Sequence, residues 1–158
     1  MEVYEYTDNI NLNKLILYAP KSTQGGGYSA KIKIGNNDLI IQTPKIKTKN
    51  GIHKTEKKIY CDLLINKEKI DFINFVKAIE EKIKNKIVEK GKDWFKEKPK
   101  YEEIDKRWNN IFKIYKNINT LVRTLVEKNS DGIDLKIWDE EQNELKQTYS
   151  FHISNSKQ

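Results

Sequence analysis

The sequence predicts an α+β domain, mostly β, in which short antiparallel strands accompany one long amphipathic helix and one short helix. Strand-like runs with a period of two lie on both sides of a single long helical pattern. A chain of 158 residues can bury a sizeable core, and no linker of Pro, Gly or Ser divides it. We therefore expect residues 1–158 to form a single domain.

The N-terminal part is predicted to contain a strand and a β-hairpin. Residues 12–18 form the strand, with Leu15 and Leu17 on one face. Residues 28–34 and 38–43 form the hairpin, whose turn is Gly-Asn-Asn-Asp. Because lysines alternate with apolar residues in the first hairpin strand, one of its faces is expected to be cationic while the other enters a core.

A lysine-dense loop is expected after the hairpin. Residues 45–58 contain six lysines and His53 against one acidic residue, Glu56, which is the strongest local charge bias in the chain. Gly51 is predicted to be the turn of this loop. A further strand over residues 58–65 follows it.

The long helix is predicted over residues 67–90, where apolar residues recur every three or four positions. Asn66 is the expected N-cap, and Gly91 is the expected C-terminal stop. Glu80 and Lys84 are spaced as an ion pair on the outer face of the helix.

The C-terminal part returns to strands after a short helix at residues 101–112. Strands are predicted over residues 120–126, 133–138 and 145–152, and the acidic segment 139–143 is interpreted as a turn. Short antiparallel strands with an inserted helix favour a small barrel of the oligonucleotide-binding type.

Composition points to an acidic partner and away from catalysis. The net charge of +7 and the pI of about 9.2 favour nucleic acid, although lysine-rich solvated surface is the alternative explanation. His53 and His152 lack the spacing of metal ligands, and no phosphate-binding loop is present, so we expect no enzyme, no metal and no cofactor. Cys61 is the single cysteine and is expected to be a small buried apolar residue.

The sequence has no apolar window long enough for a membrane span, and its N-terminus lacks an apolar signal core. We expect an intracellular, soluble protein with no membrane partner.

The predicted nucleic-acid site combines the hairpin, the basic loop and the adjoining tyrosines. Lysines would contact phosphates, while Tyr28 and Tyr60 would stack on bases, with packing on the core as the alternative for each ring. Base stacking and core packing are likewise both open for Trp94, Phe95 and Trp138. The candidate residues are Lys21, Tyr28, Lys31, Lys33, Gln42, Lys45, Lys47, Lys49, His53, Lys54, Lys57, Lys58 and Tyr60.

The order of features in residues 15–65 resembles a known family. Tyr18-Ala19-Pro20-Lys21, a Gly-rich stretch, Ser29 to Ile34, Leu39 to Pro44 and Asn50-Gly51-Ile52 are similar to the single-stranded DNA-binding proteins of nucleocytoplasmic large DNA viruses, which are related to the podophage replication protein. The resemblance implies an oligonucleotide-binding (OB) barrel that coats single-stranded DNA in viral DNA replication, recombination and repair.

The same resemblance implies partners and a location. It implies a homodimer and contacts with viral replication proteins, in the host cytoplasm (viral factory) or nucleus, or in the packaged virion. RNA is an alternative ligand. The phage-like relatives end in an acidic tail with a terminal aromatic residue, whereas residues 145–158 contain no Asp or Glu, which puts tail-mediated recruitment in doubt.

Two other classes of function stay open at this point. One is a structural virion core or capsid-associated protein whose basic surface binds packaged genome or acidic partners. The other is an enzyme of unrecognised type, which would need a pocket with convergent polar groups.

Overall fold

The protein has an α+β fold, as predicted, with two helices and thirteen short strands among the residues described. A computed structural model describes residues 2–117, 119–130 and 132–145. The sheets are antiparallel except for one parallel pair, and none of them closes into a barrel within this part of the chain. Neither helix is long and apolar enough to cross a membrane, counting only these described residues.

The chain divides into two compact units. The first unit comprises residues 1–45 and 68–110, and the second comprises residues 46–67 and 111–158. Each unit is therefore built from two separate stretches of sequence, which explains why no linker marks a boundary. The prediction of one domain over the whole chain stays a prediction.

Three small groups of strands form the β-structure of the first unit. Their bounds are β1 (Tyr4–Glu5), β2 (Leu15–Leu17), β3 (Lys21–Ser22), β4 (Tyr28–Ser29), β5 (Ile32–Ile34), β6 (Asn37–Asp38) and β7 (Ile41–Gln42). The order β2-β5-β6 is antiparallel, β3 pairs with β4, and β1 runs parallel to β7.

The predicted hairpin is present but each of its strands is divided in two, because the halves pair with different partners. In the first strand, β4 pairs with β3 and β5 pairs with β2. The turn lies at Gly35 and Asn36, and the φ of +56° at Gly35 suits a residue without a side chain. The cationic face is present as well, because Ile34 is buried while Lys31 is exposed.

The predicted strand at residues 12–18 is shorter than expected. The Asn11 side chain accepts a hydrogen bond from the Asn13 backbone N–H at 3.0 Å, which turns Leu12–Lys14 into a 3-10 helix. Only β2 remains extended. Its Leu15 and Leu17 are both buried, which confirms the predicted apolar face.

The long helix is confirmed and its helical run begins at Lys67 as predicted, but its first turn is a 3-10 turn and its predicted C-terminal end is wrong. Helix α1 (Ile70–Trp94) follows a 3-10 turn at Lys67–Lys69, and Asn66 belongs to a strand. Gly91 lies inside the helix, where a Cβ atom would overlap the ring of Pro99. This glycine therefore permits a close approach between two segments and does not end the helix.

The expected exposed pair of Glu80 and Lys84 is also wrong, because both residues are buried against helix α2 (Tyr101–Arg107) and the residue that follows it. Lys84 Nζ lies 2.8 Å from carboxylate oxygens of Glu81 and of Asp105. Glu80 accepts a hydrogen bond from the indole N–H of Trp108. The face that looked solvated in the sequence is thus a polar contact between two helical segments.

The second unit is organised around one antiparallel sheet of four strands in the order β10-β11-β9-β8. A separate hairpin pairs β12 with β13. The strand bounds are β8 (Lys47–Lys54), β9 (Ile59–Asn66), β10 (Phe112–Tyr115), β11 (Asn119–Val126), β12 (Lys128–Asn129) and β13 (Gly132–Ile133). The predicted strands at residues 58–65 and 120–126 are confirmed as β9 and β11.

The predicted basic loop is wrong, because most of residues 45–58 forms the edge strand β8. The connection to β9 is a tight turn in which Lys58 N–H donates to the Thr55 hydroxyl at 3.1 Å. Gly51 has a φ of +71° and lies within an irregularity of the ladder between Thr48 and Ile52. It therefore forms a bulge in a strand and not the turn between two strands.

Three C-terminal predictions need correction. The short helix ends at Arg107, and Phe112–Tyr115 is a strand because it pairs with β11 around Lys116 and Asn117, both at positive φ. The strand predicted at residues 133–138 is reduced to its first residue and an isolated bridge between Trp138 and Glu144, which closes the predicted acidic turn. The strand predicted at residues 145–152 lies outside the described residues after Leu145.

Candidate nucleic-acid interface

The predicted binding residues fall in both compact units. Those of the first unit are Lys21, Tyr28, Lys31, Lys33, Gln42 and Lys45, and those of the second are Lys47, Lys49, His53, Lys54, Lys57, Lys58 and Tyr60. The expectation that all of them form one trough spans the two units and stays a prediction. Each unit, however, has a cationic surface of its own.

In the first unit, Lys21, Lys31 and Lys33 line one groove of about 510 Å³, which we call the lysine groove. Tyr18, Ala19 and the hydroxyl-bearing Ser22, Thr23 and Ser29 complete its lining. Lys21 is on β3, Lys33 is on β5 and Lys31 directly precedes β5, and all three side chains line the groove. Ammonium groups beside hydroxyl groups suit an anion such as phosphate.

Other predicted residues of the first unit lie outside the lining of the lysine groove. Tyr28 is 77% exposed on β4, so its ring is accessible. Gln42 and Lys45 are exposed, on β7 and after it. Lys31 also lies 3.1 Å from Asp38 in an exposed ion pair, which is worth only about 0–1 kcal/mol and is easily exchanged for another anion.

In the second unit, one face of the four-stranded sheet collects aromatic rings and cations. We call this surface the aromatic–cation face, and it consists of Lys49, His53, Lys58, Tyr60, Asp62, Tyr115, Lys116 and Arg123. The alternation of β9 turns Tyr60 and Asp62 to this face and the buried Ile59 and Ile65 to the other.

Tyr60 is at the centre of the face and is already engaged by protein groups. Its register partner His53 stacks on it, with ring centroids 5.2 Å apart and planes 18° apart. The guanidinium carbon of Arg123 lies 4.1 Å from the Tyr60 ring centroid, and Lys58 Nζ lies 5.6 Å from it. These contacts hold the ring in place, and they also occupy it.

Asp62 is the buried carboxylate of this face. It accepts two hydrogen bonds from its register partner Arg123, at 2.8 and 2.9 Å, in the bidentate geometry of a strong ion pair. These bonds are the main cause that lowers the pKa of Asp62, and the positive charges of Arg123 and Lys49 lower this pKa further. The same pair raises the pKa of Arg123. Asp62 therefore stays ionised and fixes the position of the guanidinium group.

Lys49 and Tyr115 meet across the sheet. Lys49 Nζ lies 4.4 Å from the Tyr115 ring centroid, although Lys49 is on the edge strand β8 and Tyr115 is on the opposite edge strand β10. Three strand spacings separate these backbones by about 14 Å in a flat sheet. The two long side chains consequently reach over the middle of the face, and Lys116 Nζ lies 5.3 Å from the same ring.

This sheet has a strong excess of basic over acidic residues. Residues 47–66 and 112–126 contain eight Lys or Arg residues and only two acidic ones, Glu56 and Asp62. Lys47, Lys54, Lys57 and Lys58 are all exposed. By contrast, residues 1–45 contain five lysines and four acidic residues, so the lysine groove lies in a nearly neutral segment. The sheet of the second unit is thus more strongly cationic than residues 1–45.

Sequence reasoning missed the residues that organise this face, namely Asp62, Tyr115, Lys116 and Arg123. Arg123 carried one signal, because it is one of only two arginines in the chain and interrupts an otherwise apolar strand. Tyr115 has no visible signal in the sequence, since it follows residues 101–112, for which a helix is predicted. Its place on the face follows from the pairing of β10 with β11.

The aromatic residues left open between stacking and packing have different environments. Phe95 and Trp138 are exposed, to 50% and 52%, whereas Trp94 at the end of α1 is more buried than either. The opposite face of the sheet carries an open cleft of about 610 Å³, lined by residues that include Ile52, Cys61 and Leu63. Burial raises the pKa of the Cys61 thiol, so it stays protonated and unreactive at neutral pH.

Neither a metal site nor a known relative gives this surface an identity. Within residues 2–117, 119–130 and 132–145, no group of three or more His, Cys, Asp or Glu side chains could hold a metal ion. No protein-family model, curated protein or solved structure matches this chain. The geometry and charge of the two surfaces are therefore the basis for assigning a function.

Proposed function

We propose that this protein binds single-stranded DNA without catalysis and largely independently of base sequence, and that it acts in viral DNA replication, recombination and repair. The observation that carries the proposal is the aromatic–cation face, where cations and tyrosines share one side of a sheet. The resemblance of residues 15–65 to viral single-stranded DNA-binding proteins supports it. An OB-type barrel, a homodimer and contacts with viral replication proteins are parts of the same proposal.

Phosphate binding would come from the basic side chains. Each phosphate contact releases counterions and contributes a slope of roughly −0.7 to the dependence of log K on log salt for a single strand. The exposed lysines of β8 and of the turn after it supply such contacts in the second unit. The lysine groove supplies others in the first unit.

Base binding would come from tyrosine rings. A base stacked on an aromatic side chain contributes about 1–3 kcal/mol, and the contact tolerates every base because every base has a π-face. A duplex hides these base faces. The cations of the second unit are on strands and turns, which favours a flexible single strand over the major groove of a duplex.

The direct test is binding of fluorescently labelled oligonucleotides measured by anisotropy. The same sequence is titrated as single-stranded DNA, as duplex DNA and as single-stranded RNA at several salt concentrations. We expect single-stranded DNA to bind more tightly than the duplex by about tenfold, the equivalent of one stacked base. Equal affinity for single strands and duplex would favour a structural virion protein that neutralises packaged genome, and no binding at all would refute the proposal.

A further inference from the structure

The contact between Lys49 and Tyr115 brings together the two groups that a nucleotide needs, a cation for its phosphate and a ring for its base. The ammonium lies 4.4 Å from the ring centroid, so the two groups are within reach of a single nucleotide. Both residues are half-buried, and they come from the two edge strands of the sheet.

Tyr60 is less suited to accept a base. His53 is stacked on it in a nearly parallel arrangement, and the Arg123 guanidinium lies over its ring. Arg123 is itself fixed by the two hydrogen bonds to Asp62. Exposing the face of the Tyr60 ring to a base would therefore break the stack with His53 and disturb the Arg123–Asp62 pair. Exposing the face of the Tyr115 ring only displaces lysine side chains.

Energies favour the exchange at Tyr115. A cation over a half-buried aromatic ring and a base stacked on that ring are contacts of similar strength, so exchanging one for the other costs little. A lysine released from the ring also gains a phosphate contact. Because Lys49 is in the bulge of β8 between Thr48 and Ile52, its side chain can move while the ladder on either side stays paired.

We infer that Lys49 and Tyr115 form the base-binding position of the aromatic–cation face: the base of a single-stranded nucleotide replaces the Lys49 ammonium on the Tyr115 ring, and the phosphate then takes that ammonium. This inference rests on the proposed function and assigns its stacking residue. Tyr60 instead positions Arg123 and His53 from the middle of the sheet.

The test uses two oligonucleotides of equal length. One has ordinary bases, and in the other every nucleotide is an abasic site. Tyr115→Leu removes the ring, Tyr115→Phe keeps it, and Ile114→Leu is the control on the same strand at a position that is 82% exposed. We expect Tyr115→Leu to bind the ordinary oligonucleotide about tenfold more weakly and the abasic one as well as the unsubstituted protein does. Tyr115→Phe and Ile114→Leu should behave like the unsubstituted protein on both.

Lys49→Met gives an independent readout. It should make the salt slope shallower by about 0.7 on both oligonucleotides, whereas Tyr115→Leu should leave the slope unchanged. Melting temperatures are compared first, and Lys49→Met tests the inference through the slope if Tyr115→Leu does not fold. The inference would be overturned if Tyr115→Leu lost the same affinity for both oligonucleotides, or if Lys49→Met left the salt slope unchanged. In either case, single-strand binding by the unsubstituted protein would still support the proposed function. Absence of binding by the unsubstituted protein would refute both.

Discussion

Lysine has different surroundings in the two compact units. In the first unit, Lys84 is buried to 5% exposure between the carboxylates of Glu81 and Asp105. In the second unit, Lys49 and Lys116 lie over the ring of Tyr115, and the surrounding sheet has few acidic residues. The residue type is the same, but the partner is a carboxylate in one unit and an aromatic ring in the other.

The partner determines what a lysine can do. A cation held by two carboxylates has its charge balanced and contributes to the fold. A cation over a neutral ring keeps its positive charge and can exchange the ring for a phosphate. Net charge therefore says less about function than the identity of the nearest neighbour.

The largest expected effect concerns Lys84. Lys84→Met should lower the free energy of unfolding by about 3 kcal/mol, because it removes a buried charged hydrogen-bonding group between two helical segments. Urea denaturation measures this loss. Lys86→Met is the matched control: Lys86 lies 3.5 Å from Glu89 on the same helix, and its loss should cost only about 0–1 kcal/mol.

If the comparison holds, neither substitution changes oligonucleotide affinity of the folded protein. A loss of affinity in Lys84→Met, measured without urea and well below the melting temperature, would show that this buried lysine also contributes to the binding surface.

Two glycines provide the next contrast. Gly91→Ala should destabilise by about 2 kcal/mol because the added Cβ overlaps Pro99, even though alanine favours a helix elsewhere. Gly51→Ala meets no atom within 4 Å but would be forced into a φ of +71°, which costs about 1 kcal/mol. Thermal unfolding distinguishes the two. A stabilised Gly91→Ala variant would contradict the close approach to Pro99.

Asp62→Asn tests the charged pair in the middle of the sheet. The variant should lose about 1.5 kcal/mol of stability at pH 7, because a charged hydrogen bond to Arg123 becomes a neutral one. The pKa of Asp62 is lowered in the folded state, so this contribution is complete above about pH 5 and disappears as the pH falls through the folded pKa. The stability difference between variant and unsubstituted protein should therefore shrink on acidification.

The same variant should bind single-stranded DNA slightly more tightly, because one negative charge leaves the aromatic–cation face. Anisotropy titrations at pH 7 measure this change. Weaker binding would mean that Arg123 must be held by Asp62 in order to contact phosphate.

The sequence predicted those elements whose own side chains carry a clear period. Helix α1 and strands β9 and β11 were found because their apolar residues recur at helical or strand spacing. Strand β8 was missed because its residues are mostly polar, and it is extended only through pairing with β9. The end of α1 was missed because the role of Gly91 depends on Pro99, which lies outside the helix.

The site was predictable in its charges but not in its organisation. A run of lysines is visible in the sequence, so Lys47 and Lys49 could be named. The contact of Lys49 with Tyr115 depends on the order of four strands, which separates the two residues by two intervening strands of the sheet. The pairing of Arg123 with Asp62 depends on the register between β9 and β11, which no local pattern specifies.

The main binding surface is identified most directly by comparing the salt dependence of single-strand binding for two triple variants, one in each unit. Lys49→Ala, Lys58→Ala and Lys116→Ala change the aromatic–cation face of the sheet in the second unit (the sheet variant), and Lys21→Ala, Lys31→Ala and Lys33→Ala change the lysine groove (the groove variant). We expect both variants to fold, and we expect the sheet variant to lose about 2 from the slope of log K against log salt, more than the groove variant loses. A sheet variant with the slope of the unsubstituted protein would contradict the assignment of the aromatic–cation face as the main binding surface.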